Sequence, residues 1–288
     1  MAFWKLHVLG ETIAVGERGQ AISLPAIAWP IIGIVASAPQ RRIKRTALAE
    51  ALWPDSEADA ARRCLATSLW RIRQRFTAHG TSLLSTTGDV IALTPGRRVW
   101  VDVVAFDRKL HDFARDPACL EQTSARNRLR RALSLYRGDF LCREDHEWIA
   151  IERERLRALF LDSALELARA NIRHGEWRSA LDLGRIICGV EPLREDAQRL
   201  LLEAMVACGN RAQAVQHYKD FELLLDSELG VRPMQETRQL IDRLAGKPRD
   251  PLPASLNAPA PTARDREILL LARRQIQATL NLIDTALA

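Results

Sequence analysis

Apolar positions in the first hundred residues alternate in short runs, and beyond about Val103 they recur at helical spacing. Phe3 to Leu9 alternates and is rich in β-forming types, which predicts a strand ended by Gly10. Thr12 to Val15 and Ala21 to Leu24 read as further short strands, with Gly16 and Gly19 in the connecting turn. A helix is expected from about Trp29 to Ser37, with Pro30 at its start. The next helix is expected to be capped by Thr46, to pack Leu48, Ala51 and Leu52 inward, and to stop at Trp53. Pro54 enforces that stop, because proline disfavours a helical backbone in the residue before it.

A second, longer helix is expected over residues 57–78, capped by Ser56, with Glu57 and Asp59 placing negative charge in its first turn. Leu65, Leu69, Ile72 and Phe76 follow one another at spacings of four, three and four, so they share one face. Arg63, Thr67, Trp70, Arg71 and Gln74 fall on the far side, flanked by Arg62, Arg73 and Arg75. Two strands, Ser82 to Ser85 and Val90 to Leu93, are expected to pair across Thr86-Thr87-Gly88-Asp89 as the wing of a winged helix. A short helix, a turn and an arginine-bearing helix form the geometry that presents a row of side chains to a DNA major groove.

Downstream, Gly175-Glu176-Trp177-Arg178-Ser179-Ala180 recurs as Gly209-Asn210-Arg211-Ala212-Gln213-Ala214. The offset of 34 residues is the period of tetratricopeptide repeats. Leu181, Ile186 and Ile187 are expected to line one repeat; Val215, Tyr218, Phe221 and Leu224 the next. Trp148, Phe160 and Trp177 read as repeat-core residues. Lys247 to Thr262 is a linker by its proline, alanine and serine content. Beyond it, Leu269, Ile276, Leu280, Ile283 and Leu287 follow a seven-residue rhythm broken at Arg273, which suits a helix that pairs with another chain or docks on its own. The expected organisation is mainly α with a small β component. It comprises a winged helix-turn-helix at 1–102, a helical-repeat domain at 103–246, a linker at 247–263 and a C-terminal helix at 264–288.

Charge sharpens this picture. Residues 1–102 hold 13 Lys and Arg against 8 Asp and Glu, residues 103–246 hold 23 against 24, and residues 247–288 hold 6 against 4. The excess sits around the two-helix unit, where a basic patch would attract a phosphate backbone through counterion release. Arg41, Arg42, Lys44 and Arg45 read either as a phosphate-side patch or as a solvated turn. Cys64, Cys119, Cys142, Cys188 and Cys208 are odd in number and scattered, which points to reduced thiols in a cytoplasm. No secretory leader pattern opens the chain. The uncharged run Ala21 to Pro39 is interrupted by Pro25, Pro30 and Gly33, so a buried helix rather than a membrane span is expected. No HExxH, GxSxG, P-loop or GxGxxG occurs, and Cys142 and His146 lack a second ligand pair, so neither catalysis nor a metal or other cofactor is expected.

Several segments carry a resemblance to a known family: Leu48-Ala49-Glu50-Ala51-Leu52-Trp53-Pro54-Asp55, Leu69-Trp70-Arg71-Ile72-Arg73-Gln74-Arg75-Phe76, Val101-Asp102-Val103 with Phe106, Tyr136-Arg137-Gly138-Asp139-Phe140-Leu141, and Glu228-Leu229-Gly230-Val231-Arg232-Pro233. In their order and spacing, over about residues 1–246, the chain resembles the antibiotic-regulatory-protein type of bacterial transcription activator, an OmpR-type winged helix followed by a bacterial transcriptional activator domain. The resemblance implies that Arg63, Thr67, Trp70, Arg71 and Gln74 face double-stranded DNA, while Arg62, Arg73 and Arg75 reach phosphates. It further implies a wing over the minor groove, RNA polymerase contact through Trp53, Pro54, Asp55, Ser56 and Glu57, and binding as a homodimer. With no receiver domain ahead of the winged helix and no nucleotide-binding module after the repeats, the short form of the family is expected. Two positions depart from the family pattern: the wing tip carries no cation, and Ile27 to Pro30 is apolar where the first helix usually opens on a basic residue. Those departures leave a second reading open, a scaffold that keeps the winged fold without binding DNA and holds a peptide or protein in its repeat groove.

Overall fold

The alternating start of the chain becomes β1 (Trp4–His7), which pairs antiparallel with β2 (Ile13–Gly16), and β2 pairs antiparallel with β3 (Ala21–Ile22). The computed structural model describes residues 4–16, 19–78, 80–94 and 99–246, and the expected linker and C-terminal helix lie outside the described residues. The described residues up to Asp242 form one compact unit. Trp4 and Leu6 are fully buried and Lys5 between them is exposed, as a half-buried strand requires.

Helix α1 (Ala28–Ser37) is buried at every position from Ala28 to Ala36, which accounts for its uniformly apolar sequence. Next comes β4 (Arg42–Lys44), a strand that local sequence did not reveal. Helix α2 (Arg45–Leu52) follows, then α3 (Ala58–Thr77) and the hairpin of β5 (Leu84–Thr87) and β6 (Val90–Leu93), whose turn is Gly88-Asp89. Both expected caps are corrected. Thr46 lies inside α2, because β4 holds Lys44 extended and the Asp89 carbonyl of the wing accepts the Arg45 N–H. Ser56 lies one residue early, because its N–H closes a turn onto the Trp53 carbonyl and Glu57 is the extended residue before α3. Inward packing in α2 falls to Leu48, Ala49 and Leu52, with Ala51 only half-buried. The last strand of this region, β7 (Val99–Val101), pairs parallel with β1. The result is a four-stranded sheet in the order β3-β2-β1-β7 and a three-stranded wing sheet in the order β4-β6-β5.

Among the described residues seven α-helices follow: α4 (Asp102–Arg115), α5 (Thr123–Leu133), α6 (Glu147–Arg173), α7 (Trp177–Val190), α8 (Glu195–Ala207), α9 (Arg211–Leu229) and α10 (Gln235–Gly246). The internal repeat is structural. Gly175 and Gly209 both take positive φ, at 72° and 83°, where a side chain would be strained. Their N–H groups donate to the carbonyls of Ile172 and Val206, and the next N–H groups to Asn171 and Met205, again 34 residues apart. Ala180 and Ala214 are fully buried in the helices that follow. Leu181 and Ile187 line the first repeat, but Ile186 is 49% exposed. In the second, Phe221 and Leu225 are buried while Val215, Tyr218 and Leu224 are half-buried. Phe160 is a core residue, and Trp148 and Trp177 are half-buried.

The segment Tyr136–Leu141 ties the helical region to the winged helix. The Gly10 N–H donates to the Asp139 carbonyl and the Leu141 N–H to the Val8 carbonyl. Phe140 and Leu141 are fully buried against α1 at Gly33, where a Cβ would sit 2.6 Å from Leu141 Cδ1 and 2.9 Å from Phe140 Cζ. Arg153 of α6 donates to the carbonyls of Phe140, Leu141 and Glu144. Asp102, fully buried, accepts the N–H groups of Val8, Leu9 and Val103 at 2.7 to 3.2 Å. At the far end, Gly230 (φ 65°) ends α9, and the Glu195 carboxylate accepts the Met234 N–H and the Thr237 hydroxyl at the start of α10.

Candidate nucleic-acid interface

Helix α3 is held from beneath. Leu65, Leu69, Ile72 and Phe76 are buried as their spacing predicts, and the Phe76 ring meets Trp4 edge-on at 5.8 Å. Ala61 and Ser68 complete the underside, with the Ser68 hydroxyl donating to the Cys64 carbonyl. The sheet and helices below leave the opposite face exposed. Arg62, Arg63, Thr67, Trp70, Arg71, Gln74 and Arg75 are all exposed.

Their bonding states differ. Arg62 is engaged by Asp59 at 3.0 Å within its own helix. Among the described residues, the guanidinium groups of Arg63, Arg71, Arg73 and Arg75 have neither an acidic partner nor a hydrogen bond. Four guanidinium groups on one exposed helix make a cationic surface, which is where an anionic group would be attracted. The Thr67 hydroxyl donates to the Arg63 carbonyl, which engages its proton within the helix. Trp70 is 58% exposed, an unusual state for an indole in a folded surface.

The second cationic group is now placed. Arg42 and Lys44 share one face of β4, which pairs with the wing strand β6 (Arg42↔Ala92, Lys44↔Val90), and both are exposed. The tip at Thr86, Thr87, Gly88 and Asp89, which carries a carboxylate and no cation, therefore belongs to a sheet that carries two cations on its neighbouring strand. Arg41 is exposed and Arg45 half-buried, at the two ends of β4. Gln40 and Arg41 take left-handed backbone, with φ of 52° and 57°, where the chain leaves α1 for that strand. The turn between α2 and α3 exposes Pro54, Asp55, Ser56 and Glu57, with Trp53 half-buried behind them.

A groove of about 640 Å³ runs beside the C-terminal half of α3. Its floor and one wall are Trp70, Arg71, Gln74, Arg75 and Ala78; the other wall is the edge strand β3 and its continuation, Ala21, Ile22, Ser23 and Pro25. No local signal marked this wall, because Ala21 to Pro25 and Trp70 to Ala78 meet only through the sheet. Among the described residues no group of His, Cys, Asp and Glu could hold a metal ion, and no helix is long and apolar enough to cross a membrane.

Comparison with known proteins gives this arrangement a context. The family model described as bacterial transcriptional activator domain matches residues 101–245. The regulatory protein AfsR of Streptomyces coelicolor is 30% identical over 261 residues, covering 86% of this chain and 24% of that protein. AfsR of Streptomyces griseus is 28% identical over 240 residues, covering 76% and 24%. The chain thus spans 24% of the length of these curated relatives. A solved structure of Mycobacterium tuberculosis EmbR in complex with a low-affinity phosphopeptide shares the fold, with a TM-score of 0.66 at 19% identity over 87% of this chain and 66% of that one. The chain belongs to the bacterial transcriptional activator domain family, in the antibiotic-regulatory-protein arrangement that sets a winged helix before that domain.

Proposed function

We propose that this protein is a sequence-specific duplex-DNA-binding regulator that activates transcription from the cytoplasm. One observation carries the reading: α3 presents the guanidinium groups of Arg63, Arg71, Arg73 and Arg75, unpaired among the described residues, above a buried Leu65–Leu69–Ile72–Phe76 underside. A helix so supported enters a major groove without deforming, and its guanidinium groups suit guanine edges and phosphates alike. Arg42 and Lys44 on the wing sheet, with Arg41 and Arg45 beside them, extend the cationic surface past the helix. The exposed turn Pro54 to Glu57 faces RNA polymerase, the protein binds as a homodimer, and the repeat helices receive a peptide or protein signal. None of this requires a cofactor.

A gel shift with the full chain and its own upstream DNA tests the proposal. Retardation that fades steeply with salt and disappears in Arg63→Ala plus Arg71→Ala is the expected result. Absence of retardation even at low salt would favour the scaffold reading, for which the cation-free wing tip speaks.

A further inference from the structure

The recognition surface on α3 is not uniform along its length. Arg63 and Thr67 occupy the outer face of the N-terminal half. Trp70, Arg71, Gln74 and Arg75 in the C-terminal half instead line the groove whose other wall is Ala21, Ile22, Ser23 and Pro25. Dimensions decide what such a wall permits. A helix with its side chains is about 10–12 Å across, and the major groove is about 12 Å wide, so a helix at reading depth fills it. Protein standing beside that helix must ride outside the groove, at the level of a sugar–phosphate strand.

We propose that the slot between β3 and the C-terminal half of α3 seats one DNA backbone strand, so that the helix reads bases with its first half and clamps phosphates with its second. This rests on the DNA-binding reading above. The chemistry of the slot agrees with it. Arg71 and Arg75 are cations without protein partners, Gln74 brings an amide, and the exposed Ser23 hydroxyl on the facing wall is also unbonded among the described residues. Trp70 supplies a flat apolar surface for a deoxyribose. Arg71, which the family resemblance set among the DNA-facing residues, is thereby assigned to the backbone, while Arg63 and Thr67 are left to meet base edges.

The test uses the full chain, a duplex it enriches from a randomised pool, and a scrambled duplex of equal length. Affinity is followed by fluorescence anisotropy between about 50 and 200 mM salt. Arg71→Ala and Arg75→Ala are each expected to weaken both duplexes by the same factor and to lower the magnitude of the salt slope by about one. Their preference for the enriched duplex stays unchanged. Arg63→Ala is expected to reduce that preference by about tenfold or more. Ser23→Asp, a surface change that puts a carboxylate in the slot wall, is expected to weaken both duplexes together. Loss of preference in Arg71→Ala or Arg75→Ala, or unchanged affinity in Ser23→Asp, overturns the clamp while leaving DNA binding intact. Failure of the unaltered protein to bind any duplex at low salt overturns both readings.

Discussion

Replacing Phe140 with alanine is expected to destabilise the winged helix and the helical region together. Phe140 lies in the helical region by sequence, yet its ring is fully buried against Gly33 of α1, and Leu9 bridges to it from the strand side. Truncating a fully buried phenylalanine costs about 3–5 kcal/mol, and small domains hold only about 5–15 kcal/mol in all. Van der Waals room for relaxation is small, because the neighbours are an α-helix backbone at a glycine and the fully buried Leu141. For a unit of this size each kcal/mol moves Tm by about 2–4 °C, so a fall of about 6–20 °C is expected in differential scanning calorimetry. Hydrogen exchange locates the loss: amides of α1 and α3 should lose protection along with those of α6. A Tm change below about 2 °C, or loss of protection confined to the helical region, would refute the idea that this wedge couples the two.

Other outcomes follow from single contacts. Asp102→Asn puts an amide donor among the three backbone N–H groups that the carboxylate now accepts, and should cost about 3 kcal/mol by urea denaturation. The Arg126 guanidinium, at 2.8 Å, holds the Glu176 carboxyl below its ordinary 4.5. A depressed carboxylate stabilises above its unfolded pKa and loses that contribution as pH falls through the folded value. Glu176→Gln should therefore flatten the decline of Tm below about pH 4.5, with little change in pH sensitivity above it. Leu65→Ala should cost about 2–5 kcal/mol, whereas Trp70→Ala on the opposite face should shift stability by no more than about 0.5 kcal/mol while weakening duplex binding. Equal stability losses in those two variants would contradict the assigned faces of α3. Burial also lowers the His217 pKa, so protonation of the unfolded chain should reduce Tm as pH falls below 6.5, and His217→Gln should lessen that fall.

Local periodicity was enough to assign the faces of α3, the β5–β6 hairpin and the 34-residue repeat, because each rests on contacts within a few residues or within one helix pair. The same reasoning failed at both helix caps. Thr46 has the right chemistry, but a carbonyl from the wing already satisfies the first N–H of α2; Ser56 is diverted into a turn of its own. Ile186 was placed in the core by one residue too many, since a helical face turns by 100° per position.

The family-specific segments thus determined the family, and apolar spacing determined the buried face of α3, because side-chain order along a helix survives folding unchanged. Tertiary structure alone decided that β4 joins the wing and brings Arg42 and Lys44 onto the sheet of its cation-free tip. It also decided that Tyr136–Leu141 anchors on Val8, Gly10 and Gly33, and that β3 stands beside the C-terminal half of α3. Each of these joins residues more than forty positions apart, and such pairings depend on how whole elements pack, which no run of neighbouring residues encodes.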